Sequence, residues 1–446
     1  MSGPVARAVR LLLAAGVLIA SGGLLFNVSA VSKPRPATRA ETGPMATSRQ
    51  LVNQGRRIFR HDTFGDEAFW SGALQLEKAI AGAKNGGVGA GVSPKTALSV
   101  GLKVDSQALP AAVVAAIKQG KVNLNDPKTT LALLKLGAVV GVKGHFSGSK
   151  LQSIGLTCAV CHSTVDNSFA PGIGKRRDGW PNRDLNVGAI VSLAPNLKPI
   201  EDVLGADEAT VKQVLASWGP GKFDAELFMD GKAFRPDGGS AATLIPPAFG
   251  LQGVNLHTYT GWGSIPYWNA FVAILEMHGQ GDFTDARLDD PVQFPIAAKN
   301  RFGHVRVAHD RVTAKLPALQ AYQLSLKAPT PPRRSYDAAA ARRGKAIFDG
   351  QGKCASCHVP PTFTEGGYNI HAPAEICTDS FQADRSPAHG YRTTPLKGLF
   401  AHAKHGFYHD GRYQTLGAVV SHYNSCMNLG LSAGQQSDLV QYLKSL

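Results

Sequence analysis

Cys158-Ala159-Val160-Cys161-His162 and Cys354-Ala355-Ser356-Cys357-His358 set one five-residue pattern into the chain twice. In C-x-x-C-H, two thiols can add to the vinyl groups of a haem while the next residue turns its imidazole onto the iron. All three bonds form on one short turn, so the spacing is tight. A single copy would serve equally as a redox dithiol or as half of a zinc site. Two copies behind an export signal point to two covalently bound c-type haems. Cys158, Cys161, Cys354 and Cys357 are then the attachment thiols, and His162 and His358 the proximal ligands.

The export signal is read from the first thirty residues. Arg7 and Arg10 precede an apolar run from Leu11 to Phe26, and Val28-Ser29-Ala30 offers a small-x-small cleavage site. Residues 1–30 are therefore expected to be a signal peptide, and the mature protein periplasmic or secreted. A membrane would be involved only through an uncleaved signal, because no later stretch is long and apolar enough to span a bilayer. In an oxidising compartment the two remaining cysteines, Cys377 and Cys426, are candidates for a disulfide. The formal net charge is +15. No Lys/Arg-rich run interleaved with aromatics accompanies it, which argues against nucleic acid. An acidic redox protein or an acidic membrane surface would suit such a charge, and a solvated basic face accounts for it equally well.

Residues 31–49 read as a flexible leader. Gly55-Arg56-Arg57-Ile58-Phe59 then recurs as Gly344-Lys345-Ala346-Ile347-Phe348 shortly before the second motif. A Gly and an aromatic on the opening helix of a small c-type cytochrome pack on its closing helix, so the chain reads as two such units. The fold expected is mainly α: two cytochrome c-like haem domains with long loops, over 50–327 and 335–446, joined by a Pro-rich linker at 328–334. Gly344 precedes Cys354 by 10 positions, whereas Gly55 precedes Cys158 by 103. The first unit thus carries an insertion at about 60–150, expected to pack around the first haem or cover its edge.

Within the insertion, Asp126-Pro127 should open a helix with Leu131, Leu134 and Val139 on its apolar face. Residues 172–180 read as a charged loop. Val211, Val214, Leu215 and Trp218 mark a helix stopped by Gly219-Pro220. The Gly-, Pro- and aromatic-rich stretch from Phe234 to Gly281 suits irregular loops lining a pocket. At the C-terminus, Ser432 and Gln435 form a capping box before a helix with Leu439, Tyr442, Leu443 and Leu446 on one face.

A more specific likeness lies in Arg392-Thr393-Thr394-Pro395-Leu396, Phe407-Tyr408-His409-Asp410-Gly411-Arg412, Thr415-Leu416 and Val419-Val420-Ser421-His422-Tyr423-Asn424. This resembles the C-terminal domain of the bacterial di-haem cytochrome c peroxidase superfamily, which includes MauG-type enzymes and, more distantly, di-haem rubber oxygenases. The likeness covers about 340–446 and the first unit only in pieces. It implies a division of labour, with a six-coordinate C-terminal haem accepting electrons and peroxide or oxygen reacting at the N-terminal one. It also implies a distal ligand to the second haem at Tyr423, with His422 and Met427 as rivals.

Near the first haem the chain departs from the pattern. Ile173-Gly174-Lys175 stands where peroxidases carry a ligating His, so Lys175 would lie near an open distal site. Phe228-Met229-Asp230-Gly231-Lys232 has Met where they carry an inter-haem Trp, leaving Trp180, Trp218, Trp262 and Trp268 as substitutes. Glu276-Met277 resembles the family's distal acid/base pair, with His278 a second candidate. The family often binds calcium, but no carboxylate cluster in this sequence indicates it. The reading is a peroxidase-type oxidoreductase. The alternatives are a di-haem electron carrier without substrate and a rubber-oxygenase-like dioxygenase.

Overall fold

The computed structural model describes residues 48–446, so the signal peptide and nearly all of the leader lie outside the described residues. The described residues belong to one compact unit. They are helix-rich, and every sheet is two-stranded.

In chain order, α1 (Ser48–His61) begins within the expected leader and carries Gly55, Ile58 and Phe59 on its buried face. The insertion then supplies a π-helical turn Ala68–Ala73, β1 (Val104–Asp105), α2 (Ala111–Lys118), α3 (Pro127–Lys135), and the hairpin β2 (Val142–Ser147) and β3 (Lys150–Leu156). The Asp126 side chain accepts from the Lys128 N–H at 2.9 Å, with Pro127 at the first helical position, as the sequence suggested. Leu131 and Leu134 are buried in α3, but Val139 lies beyond its end and reaches the same core from the following loop.

That core joins Trp70, Leu74, Leu134 and Ile154 to Val211, Leu215 and Trp218 of α4 (Glu208–Trp218). The insertion is thus part of the first unit's main core rather than an appendage, and β3 delivers the chain directly to Cys158. There the Gly141 backbone, at φ +78°, lies so close that a Cβ would come within 2.2 Å of the Val160 backbone.

Residues 172–180 are not a loop. β4 (Ser163–Val165), which follows His162, pairs with β6 (Arg176–Asp178), while β5 (Ile173–Gly174) pairs with β1. The charges that made the stretch look loop-like are spent internally. Arg176 pairs with Asp105 at 3.2 Å, and Arg60 with Asp178 at 2.5 Å.

The remaining main elements are α5 (Ile265–Phe271), α6 (Leu316–Ser325), α7 (Ala338–Asp349), α8 (Leu416–Cys426) and α9 (Ala433–Lys444). The G-x-x-I-F repeat explains two of the helix crossings. A Cβ on Gly55 would meet the Ala318 carbonyl oxygen of α6 at 1.9 Å and Tyr322 Cβ at 2.7 Å. A Cβ on Gly344 would meet the Asp438 oxygen of α9 at 2.0 Å and Tyr442 Cβ at 2.9 Å. The aromatic of each repeat sits edge-on to that tyrosine, Phe59 on Tyr322 at 5.4 Å and Phe348 on Tyr442 at 5.1 Å.

Gly344→Ala should therefore destabilise by about 1–3 kcal/mol through overpacking, although Gly→Ala within a helix ordinarily stabilises. Thermal melting of the variant checks the sign. An unchanged or raised melting temperature would mean that the helices are not held this close. The capping box on α9 forms in both directions, and Leu439, Tyr442 and Leu443 are buried. Leu446 is half-buried just past the helix end.

Candidate haem-binding and distal sites

Both motifs present the same arrangement. The His162 backbone N–H bonds to the Cys158 carbonyl at 3.2 Å, and that of His358 to the Cys354 carbonyl at 2.9 Å, so in each motif the backbone closes a single turn from the first cysteine to the histidine. The His162 Nδ1 lies 3.2 Å from the Pro246 carbonyl, and the His358 Nδ1 3.1 Å from that of Phe363. A carbonyl can only accept, so Nδ1 carries the proton and Nε2 keeps its lone pair. Burial pushes both imidazoles down to about 4, so they are neutral at physiological pH, as iron ligands must be.

The four motif cysteines form no disulfide. Burial raises the Cys158 and Cys161 thiols to about 12 and that of Cys354 to about 11. The residues present fit a c-type haem at each motif. His162 and His358 would hold the iron, and the paired cysteines the porphyrin edge.

A second internal repeat was not apparent in the sequence. His257–Gly263 and Phe407–Tyr413 are the same turn, each closed by an antiparallel bridge between its ends. Each has a positive φ at its second residue, +63° at Thr258 and +69° at Tyr408, and at its glycine, +64° at Gly261 and +79° at Gly411. Only the glycine is common to both, so the shared backbone leaves little trace in residue type. A helix follows each turn. In the first unit, α5 runs on through a π-helical segment to Glu276. In the second, α8 carries Tyr423.

Of the three candidates near the second motif, Tyr423 packs in the apolar cluster that includes Cys354 and Phe363. Burial, with the nearby Cys354 and Cys357, raises its phenol. The His422 Nε2 donates to the Cys377 carbonyl at 2.8 Å, and Met427 lies 38% exposed beyond the end of α8. Cys377 and Cys426 are disulfide-bonded, tying the end of α8 to the loop before it. The H-D-G turn joins the two halves of the chain. Asp410 pairs with Arg235 from the first half, and the Leu244 N–H donates to the His409 carbonyl at 2.6 Å. In this half, Cys357, Glu365 and His371 bring possible ligand atoms within 4.8 Å of one another. Glu365 and His371 are already paired at 2.6 Å.

Glu276 is 8% exposed, and neither carboxylate oxygen has a hydrogen-bond partner among the described residues. Burial, then the nearby Glu226 and Asp224, push it well above the usual carboxylate range. The sequence showed no carboxylate cluster, yet the fold assembles one. Asp224, Glu226 and Asp230 are gathered by Arg385, a fully buried residue of the second half. Arg385 donates to Asp230 through Nε at 2.7 Å and Nη2 at 3.0 Å. It also pairs with Asp224, 2.9 Å away. The guanidinium takes the place that a cation would otherwise fill. Asp230 was named in the sequence only as part of the Phe228–Lys232 stretch, and no motif marked Asp224, Glu226 or Arg385.

His278, at φ +60°, stacks on Phe69 with ring centres 3.6 Å apart, and burial lowers it to about 4. Lys175 is exposed between β5 and β6. Among the described residues no hydrogen bond or ion pair brings its ammonium to His162 or Glu276. Met229 is fully buried in a second core that also holds the buried Trp262 and Trp268, and Trp218 is buried in the core that the insertion shares with α4. Trp180 alone of the four tryptophans edges onto a ring of the second half, Phe400 at 5.6 Å, and also contacts Phe249 at 6.5 Å.

No protein-family model and no curated protein matches the chain. Among solved structures it is similar to the Kuenenia stuttgartiensis hydrazine synthase, with TM-score 0.26 and 18% identity over 46% of this chain and 72% of that one. It is also similar to a MauG-like protein associated with microbial copper homeostasis, with TM-score 0.31 and 16% identity over 48% of this chain and 76% of that one. Scores this low leave the functional reading to the residues themselves.

Proposed function

We propose that this chain is an exported di-haem c-type oxidoreductase of the peroxidase or MauG-like kind. Peroxide or oxygen reacts at the haem held by Cys158, Cys161 and His162, and electrons pass by way of the haem held by Cys354, Cys357 and His358. The observation that carries the reading is the pair of equivalent histidines, each fixed through Nδ1 by a carbonyl beside two unpaired cysteines. A haem so held supplies one-electron redox chemistry and an iron open to a small oxygen ligand wherever no sixth protein ligand binds.

The chain's own groups do the rest. On the helix that follows the first turn, burial raises Glu276 well above the usual carboxylate range, which favours its protonated form and would suit it to donate a proton to a peroxide or oxygen substrate. Tyr423, at the corresponding helix of the second unit, is the proposed sixth ligand there and would close that iron. Trp180 is the proposed aromatic step between the halves. The basic surface suits an acidic redox protein as electron partner.

The test is spectroscopic. EPR and absorption of the ferric protein should show one high-spin haem that binds cyanide and one low-spin haem that does not. Tyr423→Phe should open the second haem to cyanide without affecting the first. Two low-spin haems that refuse cyanide when oxidised and carbon monoxide when reduced would make the protein an electron carrier instead.

A further inference from the structure

Residues of the insertion, with Ile173, line a half-open apolar cavity of about 390 Å³ that the haem reading does not use. Val113 and Ile117 of α2 line one wall, Ala132 and Leu133 of α3 with Leu136 just past its end another, and Ile173 of β5 the floor. A smaller void of about 40 Å³ adjoins it, sharing Pro94, Leu98, Val104 and Leu133. Two further observations set it apart from a packing fault. First, α2 is almost wholly apolar, yet none of its residues is buried; Val113, Val114 and Ile117 are only half-covered. A helix of that composition normally lies against something. Second, the polar residues on the lining are Lys121, Lys128, Asn123 and Thr129, with no carboxylate among them. Both lysines are exposed, and Lys118 of α2 is exposed nearby. The only acids between residues 95 and 135 are Asp105 and Asp126. Asp105 is paired with Arg176, and Asp126 caps α3.

The geometry points to a binding site for a free long-chain carboxylate, its alkyl chain in the cavity between α2 and α3 and its head group at Lys121 and Lys128. At roughly 30 Å³ per methylene-sized group, the volume takes a chain of about a dozen carbons. Such a ligand covers the open face of α2, and its charge is the one that the lysines complement. A neutral hydrocarbon would leave both ammonium groups without a role. The floor residue Ile173 lies three positions before Arg176, whose strand β6 pairs with the strand leaving His162, so the site adjoins the first motif. The inference stands independently of which reaction occurs there.

Calorimetric titration of the purified holoprotein with dodecanoate, below its micelle concentration, tests it, with dodecanol as the neutral control. One saturable site per chain is expected, with dodecanol at least tenfold weaker. Ala132→Trp, from the exposed side of α3, should fill the cavity and weaken dodecanoate at least tenfold, leaving the haem spectra unchanged. Val113→Phe does the same from α2 should the tryptophan variant not fold. Lys121→Glu with Lys128→Glu should weaken dodecanoate tenfold and leave dodecanol unaffected. The proposal is overturned by absence of saturable binding, by equal affinity for dodecanol, or by cavity-filling variants that bind normally. It also fails if the protein binds only anionic vesicles, or if it dimerises through this face and excludes the ligand.

Discussion

Arg385→Leu should cost about 3–5 kcal/mol of stability, the loss typical when one partner of a buried ion pair is removed. The guanidinium has no exposure to solvent, and neither have its partners Asp224 and Asp230 at the side chain. Leucine would leave two carboxylates, with Glu226 close by, buried without a counter-charge. Their only relief is protonation, so the deficit should depend on pH. Even with Arg385 in place, burial raises Asp224 to about 7. In the variant all of these groups would bind protons in the folded state that they release when unfolded, so stability falls as pH rises above the unfolded carboxylate range. Urea unfolding at pH 5 and pH 8 should show the larger loss at pH 8. A loss below about 1 kcal/mol at both would mean that the site is hydrated and the ion pairs are screened.

Glu276→Gln should lower peroxide or oxygen turnover by about 10²–10⁴-fold, the usual worth of a positioned proton donor. Glutamine keeps the shape of the protonated acid, so both haem spectra should hold and the melting temperature should not fall. The pH profile separates catalysis from packing. Since the pKa of Glu276 is raised, the wild-type rate should fall as pH rises through that value, and the variant should lack this limb. The same raised pKa makes the native carboxyl cost stability above the unfolded value of about 4.3, a cost that glutamine removes. Unchanged turnover would move the proton donor elsewhere, and His278, stacked on Phe69 at 3.6 Å, is the next residue to replace.

The first of these predictions turns on Arg385, Asp224 and Glu226, which sequence reading passed over, and the second on a residue that it named. Glu276 was found through a two-residue likeness to a known pattern. Its unpartnered carboxylate and its acidic neighbours emerge only once α5 and residues 224–230 are packed together. The charged run at 172–180 looked like a loop because its partners, Asp105, Arg60 and Tyr322, are remote in sequence. The substitute for the missing inter-haem tryptophan stayed open among four for a similar reason. Any of them could pack in a core, and only the fold sets Trp180 against Phe400.

The sequence by itself determined the features that local chemistry dictates. These are the two C-x-x-C-H turns, the glycines that let α1 and α7 cross their partner helices, the caps on α3 and α9, and the apolar stripe of α4. Each depends on neighbours within a turn or two, or on a glycine that leaves room for any close partner. Tertiary structure alone decided where the charges go: Arg385 onto Asp224 and Asp230, Arg235 onto Asp410, and the lysines around the cavity between α2 and α3. Coulomb energies and desolvation depend on distance in space and on burial, and neither can be read from separation along the chain.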